Sequence, residues 1–135
     1  MPGGRVRIDA TRDCAEASLF VDPLADYLTD HFPGAPMLPG LLMLESAVRA
    51  AGALWSTRAP GVTGHGVVLD RVDRLHIVRR VSPGETLTMR VSSIEANSDS
   101  NTAFFRAEGV VGEEWAVRVR FRLRALRTGD HRWEE

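Results

Sequence analysis

The sequence predicts an α+β fold in which one long central helix is wrapped by a curved antiparallel sheet of about five or six strands. Two observations lead to this prediction. One apolar stretch in the first half of the chain has a helical composition, and most of the chain after it alternates apolar with polar residues. The 135 residues, of which 44% are hydrophobic, suit a single domain spanning residues 1–135. One helix against one curved sheet is the layer arrangement that such a set of elements permits.

The first part of the chain is predicted to form two short strands followed by a loop. Residues 5–8 alternate weakly between polar and apolar types, and residues 15–21 alternate clearly. Residues 22–38 contain three prolines and a glycine. Because proline and glycine interrupt regular structure, we expect this segment to be a loop with a defined path.

A buried helix is predicted to begin at Pro39-Gly40 and to run to about residue 56. Proline suits the first turn of a helix, and residues 41–54 are rich in Leu, Met and Ala without an internal proline. The stretch is apolar nearly all round, with the exceptions of Glu45, Ser46 and Arg49. A helix of this composition is expected to be buried rather than to lie on a surface.

Four strand-like runs after a loop at 58–66 predict the larger part of the sheet. They span residues 67–80, 85–94, 102–111 and 115–124. The last run alternates most strictly. One of its faces carries Trp115, Val117, Val119, Phe121 and Leu123, and the other carries Arg118, Arg120, Arg122 and Arg124. We expect the apolar face to pack on the helix and the arginine face to meet solvent.

Composition excludes several classes of chemistry. All 17 basic residues are arginine, so the chain has no lysine to form a Schiff base or to bind phosphate in a P-loop. Cys14 is the single cysteine, which excludes an intrachain disulfide and a multi-cysteine zinc site. His65, His76 and His131 show no metal-ligand spacing. We therefore expect no metal in this protein.

Charge and hydropathy also limit the partners that we expect. The formal net charge of −1 creates no general attraction for nucleic acid. No apolar run approaches the length of about 18 residues that spans a membrane. The first residues lack the apolar region of a signal peptide. We expect a cytoplasmic protein with neither nucleic acid nor a membrane as its partner.

Three residues around the start of the helix have the chemistry of a proton-transfer site. His31 lies in the proline-rich loop, and histidine is the side chain whose proton exchanges near neutral pH. Glu45 lies among apolar helix residues, and a desolvated carboxylic acid keeps a proton that it can donate. Gly40 offers an unhindered backbone N–H at the positive end of the helix. A base, an acid and an oxyanion donor together favour proton abstraction beside a carbonyl with loss of a leaving group.

Residues 31–52, with the sequence HFPGAPMLPGLLMLESAVRAAG, resemble the signature of the β-hydroxyacyl-acyl-carrier-protein dehydratases of the FabZ/FabA type. That signature is HFPG-x-P-x-x-PG followed by an apolar helix with a carboxylate fourteen positions after the histidine. Glu45 stands at that distance from His31. Residues 77–85, with the sequence IVRRVSPGE, resemble a later strand and turn of the same family.

The resemblance implies a hotdog fold that pairs into a homodimer or a heterodimer, and in some cases into larger assemblies. It implies that His31 is the catalytic base, that Glu45 of the paired chain is the acid and that Gly40 binds the thioester carbonyl. The implied reaction is dehydration of a 3-hydroxyacyl thioester to a trans-2-enoyl thioester in fatty-acid or polyketide-type assembly. The substrate would arrive on the phosphopantetheine arm of an acyl carrier protein, and the reaction would need no cofactor.

Arg49 departs from the family pattern, which usually has glutamine four residues after the acid. A pair between Glu45 and Arg49 would favour the ionised carboxylate and oppose its use as an acid. Two alternatives to the dehydratase stay open. One is a non-catalytic or partner-dependent subunit of a heterodimeric dehydratase, and the other is an acyl-thioesterase of the same fold. The arginine face is expected to be solvated, and a second interpretation makes it, or Arg79 and Arg80, a docking site for the acidic carrier protein.

Overall fold

The computed structural model describes residues 4–9, 13–24, 38, 40–59, 62, 66–96 and 101–126, and these form six strands and one helix. The elements in chain order are β1 (Gly4–Asp9), β2 (Cys14–Phe20), α1 (Gly40–Ser56), β3 (Val67–Ile77), β4 (Thr86–Ala96), β5 (Thr102–Val111) and β6 (Glu114–Ala125). The predicted helix and strands are confirmed, with ends that differ by a few residues at most.

The strands form one antiparallel sheet in the order β1-β2-β4-β5-β6-β3. Neighbours in sequence pair as hairpins from β1 to β2, from β4 to β5 and from β5 to β6. In contrast, β2 pairs with β4, and β3 pairs with β6 at the far edge of the sheet. The turn between β5 and β6 contains Gly112 with a φ of 62°, a conformation that favours glycine. The predicted α+β class with one helix and six antiparallel strands is confirmed.

The core lies between α1 and one face of the sheet. The helix packs mainly on β1, β2 and β4. Its buried apolar face repeats at intervals of three and four residues and consists of Met43, Leu44, Ala47, Ala50, Ala51, Leu54 and Trp55. The ring centroid of Phe105 on β5 lies 6.2 Å from that of Trp55 and 5.8 Å from that of Phe121. This aromatic cluster joins the last turn of the helix to the middle of the sheet.

The prediction that the helix is buried all round is wrong for one side of it. Leu41 is 79% exposed, and Arg49 is exposed as well. Glu45 and Val48 are half-buried. These four residues form the open flank of α1. The flank is more open because the helix packs mainly on β1, β2 and β4 and only slightly on β3 and β6.

Trp115 is not on the core face of β6, which corrects the strict alternation predicted from the sequence. The register of β5 and β6 shifts between Gly109 and Val110, so that Val110 lies opposite Trp115. As a result Ala116 and Val117 are both buried, and Trp115 turns to the outer face with 41% exposure. Such a β-bulge inserts one residue and reverses the faces beyond it. Beyond Trp115, the predicted core residues of β6 are confirmed as buried, namely Val117, Val119, Phe121 and Leu123.

Strand β3 carries a row of apolar side chains on the core-facing side of the sheet. The helix does not cover this row. The row consists of Leu69, Val72, Leu75 and Ile77, which we call the apolar strip. Each lies opposite a buried residue of β6, so all four share the face that the core occupies. Their exposures nevertheless lie between 39% and 45%. The strip is therefore a core-facing surface that the described residues leave partly exposed.

Candidate active site

His31, the predicted catalytic base, lies outside the described residues, as do its neighbours from 25 to 37. Its role stays a prediction. The next described residue is Leu38, which is buried. The N–H of Leu38 donates a hydrogen bond to the carbonyl oxygen of Val81 at 2.8 Å. This bond attaches the chain to the turn after β3, two residues before the helix begins.

Gly40 is the first residue of α1, and it approaches the end of β3 closely. A Cβ atom at this position would lie 3.3 Å from Cδ1 of Ile77, so a larger residue would displace that side chain or the helix start. The first N–H groups of an α-helix have no acceptor within the helix, and the helix dipole makes this end positive. The start of α1 therefore suits an oxygen atom that gains negative charge. It also touches the apolar strip through Ile77.

Glu45 lies on the open flank of α1 and is half-buried in the single chain. The expectation of a buried carboxyl is therefore met only in part by one chain, because Leu41 and Arg49 on the same side of the helix are exposed. Arg49 follows one turn later on the same flank. The ion pairs between described side chains involve other residues and do not join Arg49 to Glu45.

Gly40 and Glu45 lie on different sides of α1. At 3.6 residues per turn, five positions along a helix correspond to a rotation of about 140° around its axis. A Cβ atom on Gly40 would face Ile77 and the apolar strip. Glu45 is half-buried on the open flank, on another side of the helix. The structure thus brings the helix start and the apolar strip together. It does not bring the Glu45 carboxyl of the same chain to them.

The apolar strip is a part of the site that the sequence analysis missed. Register shifts occur in β3 between Leu69 and Arg71 and between Val72 and Arg74. Because each shift adds one residue, the members of the strip are spaced by three, three and two positions. A search for strict alternation does not detect such a set. The only indication in the sequence was that residues 67–80 mix apolar and polar residues without strict alternation.

The turn after β3 connects the strip to the approach of the helix. The carboxylate of Glu85 accepts a hydrogen bond from Nη2 of Arg79 at 2.9 Å and one from the backbone N–H of Ser82 at 2.8 Å. The N–H of Gly84 donates to the carbonyl oxygen of Val21 at 2.7 Å. Gly84 has a φ of 87°, which other residues rarely adopt. The turn is therefore hydrogen-bonded to Val21, which follows β2, and through Val81 it is also hydrogen-bonded to Leu38.

We expect the contribution of Glu85 to stability to depend on pH. The hydrogen bond from Arg79, together with that from Ser82, holds the pKa of the Glu85 carboxyl below its usual range. The ionised carboxylate therefore stabilises the fold above the ordinary glutamate pKa of about 4.3, and this contribution is lost as the pH falls through the lowered value. Glu85→Gln should reduce the free energy of unfolding in urea at neutral pH. The difference from the wild type should shrink in acid, and a difference that stays constant would contradict this assignment.

The described parts of the chain contain neither a metal-binding cluster nor a membrane-spanning helix. There, no three His, Cys, Asp or Glu side chains lie together in a way that could hold a metal ion. Within the same residues, no helix combines the length and the apolar character needed to cross a membrane.

Among the described residues, one helix packs against a six-stranded antiparallel sheet and its first turn lies beside a partly exposed apolar strip. This arrangement is typical of the hotdog-fold class. The family described as ApeI-like, with the ApeI dehydratase as its type, matches residues 7–118. The chain therefore belongs to the ApeI-like dehydratase family. The relationship to dehydratases and the hotdog fold, both predicted from the sequence, are confirmed.

Individual relatives agree with this family. A 3-hydroxyacyl-[acyl-carrier-protein] dehydratase FabZ from Moorella thermoacetica is 33% identical over 91 residues, which are 67% of this chain and 62% of that protein. The chain thus spans less than two thirds of the length of this relative. A second FabZ, from Herpetosiphon aurantiacus, is 38% identical over 66 residues, which are 49% of this chain and 46% of that protein.

Solved structures share the fold at low sequence identity. The dehydratase heterocomplex ApeI:P from Xenorhabdus doucetiae has a TM-score of 0.60 at 18% identity and covers 92% of this chain and 98% of that chain. A thioesterase from Haemophilus influenzae has a TM-score of 0.67 at 18% identity and covers 96% of this chain and 82% of that chain. These two likenesses demonstrate the fold alone, because one of the proteins is a dehydratase and the other is a thioesterase.

Proposed function

We propose that this protein, as a single domain, removes water from a 3-hydroxyacyl thioester held on an acyl carrier protein and yields a trans-2-enoyl thioester. The observation that carries the proposal is the contact of Gly40 with Ile77, which places the start of a helix against a partly exposed apolar strip. An acyl chain is apolar, and its thioester carbonyl gains negative charge when the neighbouring carbon loses a proton. The strip suits the apolar acyl chain, and the helix start suits the carbonyl oxygen on which the negative charge develops.

The proposed reaction moves two protons and breaks two bonds. His31 takes the proton from the α-carbon, and the N–H at Gly40 binds the thioester oxygen while negative charge develops on it. The electron pair of the broken C–H bond forms the double bond, and the C–O bond at the β-carbon breaks. Glu45 donates a proton to the departing hydroxyl, which leaves as water. The sequence spacing that these residues share with the dehydratase signature supports this assignment of roles.

A second chain is part of the proposal. The apolar strip lies on β3, which is an edge strand, and Val78 directly after it is 55% exposed. Edge strands with exposed apolar side chains are surfaces on which other chains pair. The position of Glu45 on the open flank, away from Gly40, supports the same conclusion, since a carboxyl there serves the site of a partner more readily than its own. The proposed partner is a second copy of this chain or a related hotdog chain; the similar ApeI:P dehydratase is itself a heterocomplex.

The test is the product that the purified chain forms from a 3-hydroxyacyl group on an acyl carrier protein. We expect mass spectrometry of the carrier to show the loss of one water from the acyl group. Release of the free 3-hydroxy acid would overturn the proposal in favour of the thioesterase. An unchanged substrate, both for the chain alone and for the chain with a related hotdog chain, would overturn it in favour of a non-catalytic subunit.

A further inference from the structure

Three arginines stand side by side on the outer face of the sheet. Arg120 on β6 lies directly opposite Arg106 on β5 and directly opposite Arg74 on β3. Residues that pair across antiparallel strands share a face, and their Cβ atoms lie about 4.5–5.5 Å apart. Like charges in such positions repel each other and destabilise the sheet. We call these three residues the arginine row.

The neighbouring positions on the same face are neutralised. One step along the strands, Glu16, Arg90, Glu108 and Arg118 follow one another across the sheet with alternating charge. Nε of Arg90 lies 2.8 Å from Oε2 of Glu16. One step in the other direction, Nε of Arg122 lies 2.6 Å from Oδ2 of Asp70.

The members of the arginine row take part in none of the ion pairs between described side chains. The row is therefore an exception on a face whose other arginines have opposite charges beside them.

The arginine row lines a shallow depression that suits a protein surface better than a small anion. The depression has a volume of about 250 Å³, and Glu108 and Arg118 also line it. Glu108 would repel a bare phosphate, whereas a partner with several separated carboxylates can meet the arginines and avoid it. Beside the depression, the guanidinium carbon of Arg118 lies 4.3 Å from the ring centroid of the exposed Trp115. Tryptophan and arginine are the residues that most often carry the binding energy of protein interfaces.

We propose that the arginine row is the docking site for the acidic surface of the acyl carrier protein, a proposal that rests on the proposed function. Charge complementarity supplies the reason, because docked carboxylates relieve the repulsion within the row. Arg74 is also on β3, on the face of that strand opposite to the apolar strip, so the row and the strip lie on the two sides of the sheet. Of Arg79 and Arg80, the other candidates for docking, Arg79 already donates to Glu85 at 2.9 Å, which makes that pair the weaker site.

Arg120→Glu is the variant that tests docking. The substitution places a carboxylate between two arginines, so the folded sheet should be preserved, and thermal unfolding checks this. We expect the KM for a 3-hydroxyacyl group on the carrier protein to rise about tenfold or more with kcat unchanged, because the new charge repels the carboxylates of the carrier. The KM of the wild type should rise with salt, whereas that of the variant should respond much less.

Two controls separate docking from chemistry and from general surface charge. A 3-hydroxyacyl N-acetylcysteamine thioester has no carrier protein, so Arg120→Glu should leave its turnover unchanged. Arg90→Gln alters an arginine on the same face that is already paired with Glu16, and it should leave both substrates unaffected. A wild-type KM in Arg120→Glu, or an equal change for both substrates, would overturn the docking site.

Direct binding keeps docking testable even if the chain forms no enoyl product. Fluorescence anisotropy of a labelled carrier protein should show weaker binding to Arg120→Glu than to the wild type. If binding differs in this way while no dehydration occurs, the proposed function fails and the docking site stands. If instead the variant loses affinity only for inorganic phosphate, or changes the mass of the oligomer, the arginine row serves a small anion or a second copy of the chain, and the proposal is overturned.

Discussion

Glu45→Gln is expected to lower kcat for dehydration by roughly 10²- to 10⁴-fold, the contribution that a positioned proton donor typically makes. Glutamine has the shape of glutamate but cannot give a proton to the departing hydroxyl. Glu45 is half-buried on the open flank of α1, so the amide should fit without disturbing the core. Steady-state kinetics on a carrier-bound 3-hydroxyacyl thioester measure kcat, and circular dichroism during heating verifies that Tm is unchanged.

Two further variants test whether a change in kcat is specific to the carboxyl of Glu45. Glu113→Gln makes the same chemical change on an exposed residue of the turn between β5 and β6, and it should leave kcat at the wild-type value. Arg49→Gln restores the residue that is usual in the family, and it should raise kcat if Arg49 opposes the acid. Full activity of Glu45→Gln would show that the carboxyl is not the proton donor, and it would remove the dehydration mechanism proposed above.

Phe105→Ala is expected to reduce the free energy of unfolding by about 3–5 kcal/mol, the usual cost of removing a buried aromatic ring. Phe105 is 1% exposed, and its ring contacts both Trp55 of the helix and Phe121 of the neighbouring strand. Its loss opens a cavity at the place where helix and sheet meet, and close-packed surroundings fill such a cavity only in part. Chemical denaturation monitored by tryptophan fluorescence gives the free energy.

Phe104→Ala is the matched control, because Phe104 precedes Phe105 on the same strand and points to the outer face. It is half-buried, and the guanidinium carbon of Arg122 lies 5.6 Å from its ring centroid. Cation–π contacts at exposed sites contribute about 0.5–1 kcal/mol, so the loss should be much smaller than for Phe105. Equal losses in the two variants would mean that the aromatic cluster is not the centre of the core.

Much of the fold could be predicted because local patterns in the sequence are strong. Pro39-Gly40 and the apolar run after it place the helix, whose observed range is Gly40–Ser56. The alternation in residues 15–21 predicts β2, and that in residues 115–124 predicts β6. Local propensity and hydrophobic period agree in these segments, and such agreement makes a prediction reliable.

The errors occurred where a distant part of the chain changes a local pattern. The bulge that turns Trp115 outward follows from its pairing with β5, in which Gly109 lies so close to β6 that a Cβ would be 2.6 Å from Cγ1 of Val117. Alternation within β6 contains no information about that neighbour. Likewise, the apolar composition of α1 does not reveal which of its sides the sheet covers.

The sequence by itself predicted the class of the fold and the approximate bounds of its elements, and it suggested His31, Glu45 and Gly40 as the candidate site. Hydrophobic period, proline and glycine positions and motif spacing act over short distances, and all of them can be read along one chain. Only the tertiary structure decided that Gly40 meets the apolar strip, that Glu45 lies on another side of the helix and that three arginines adjoin on the outer face. Those facts depend on strand register and on where the helix lies over the sheet, which are set by packing between segments far apart in sequence.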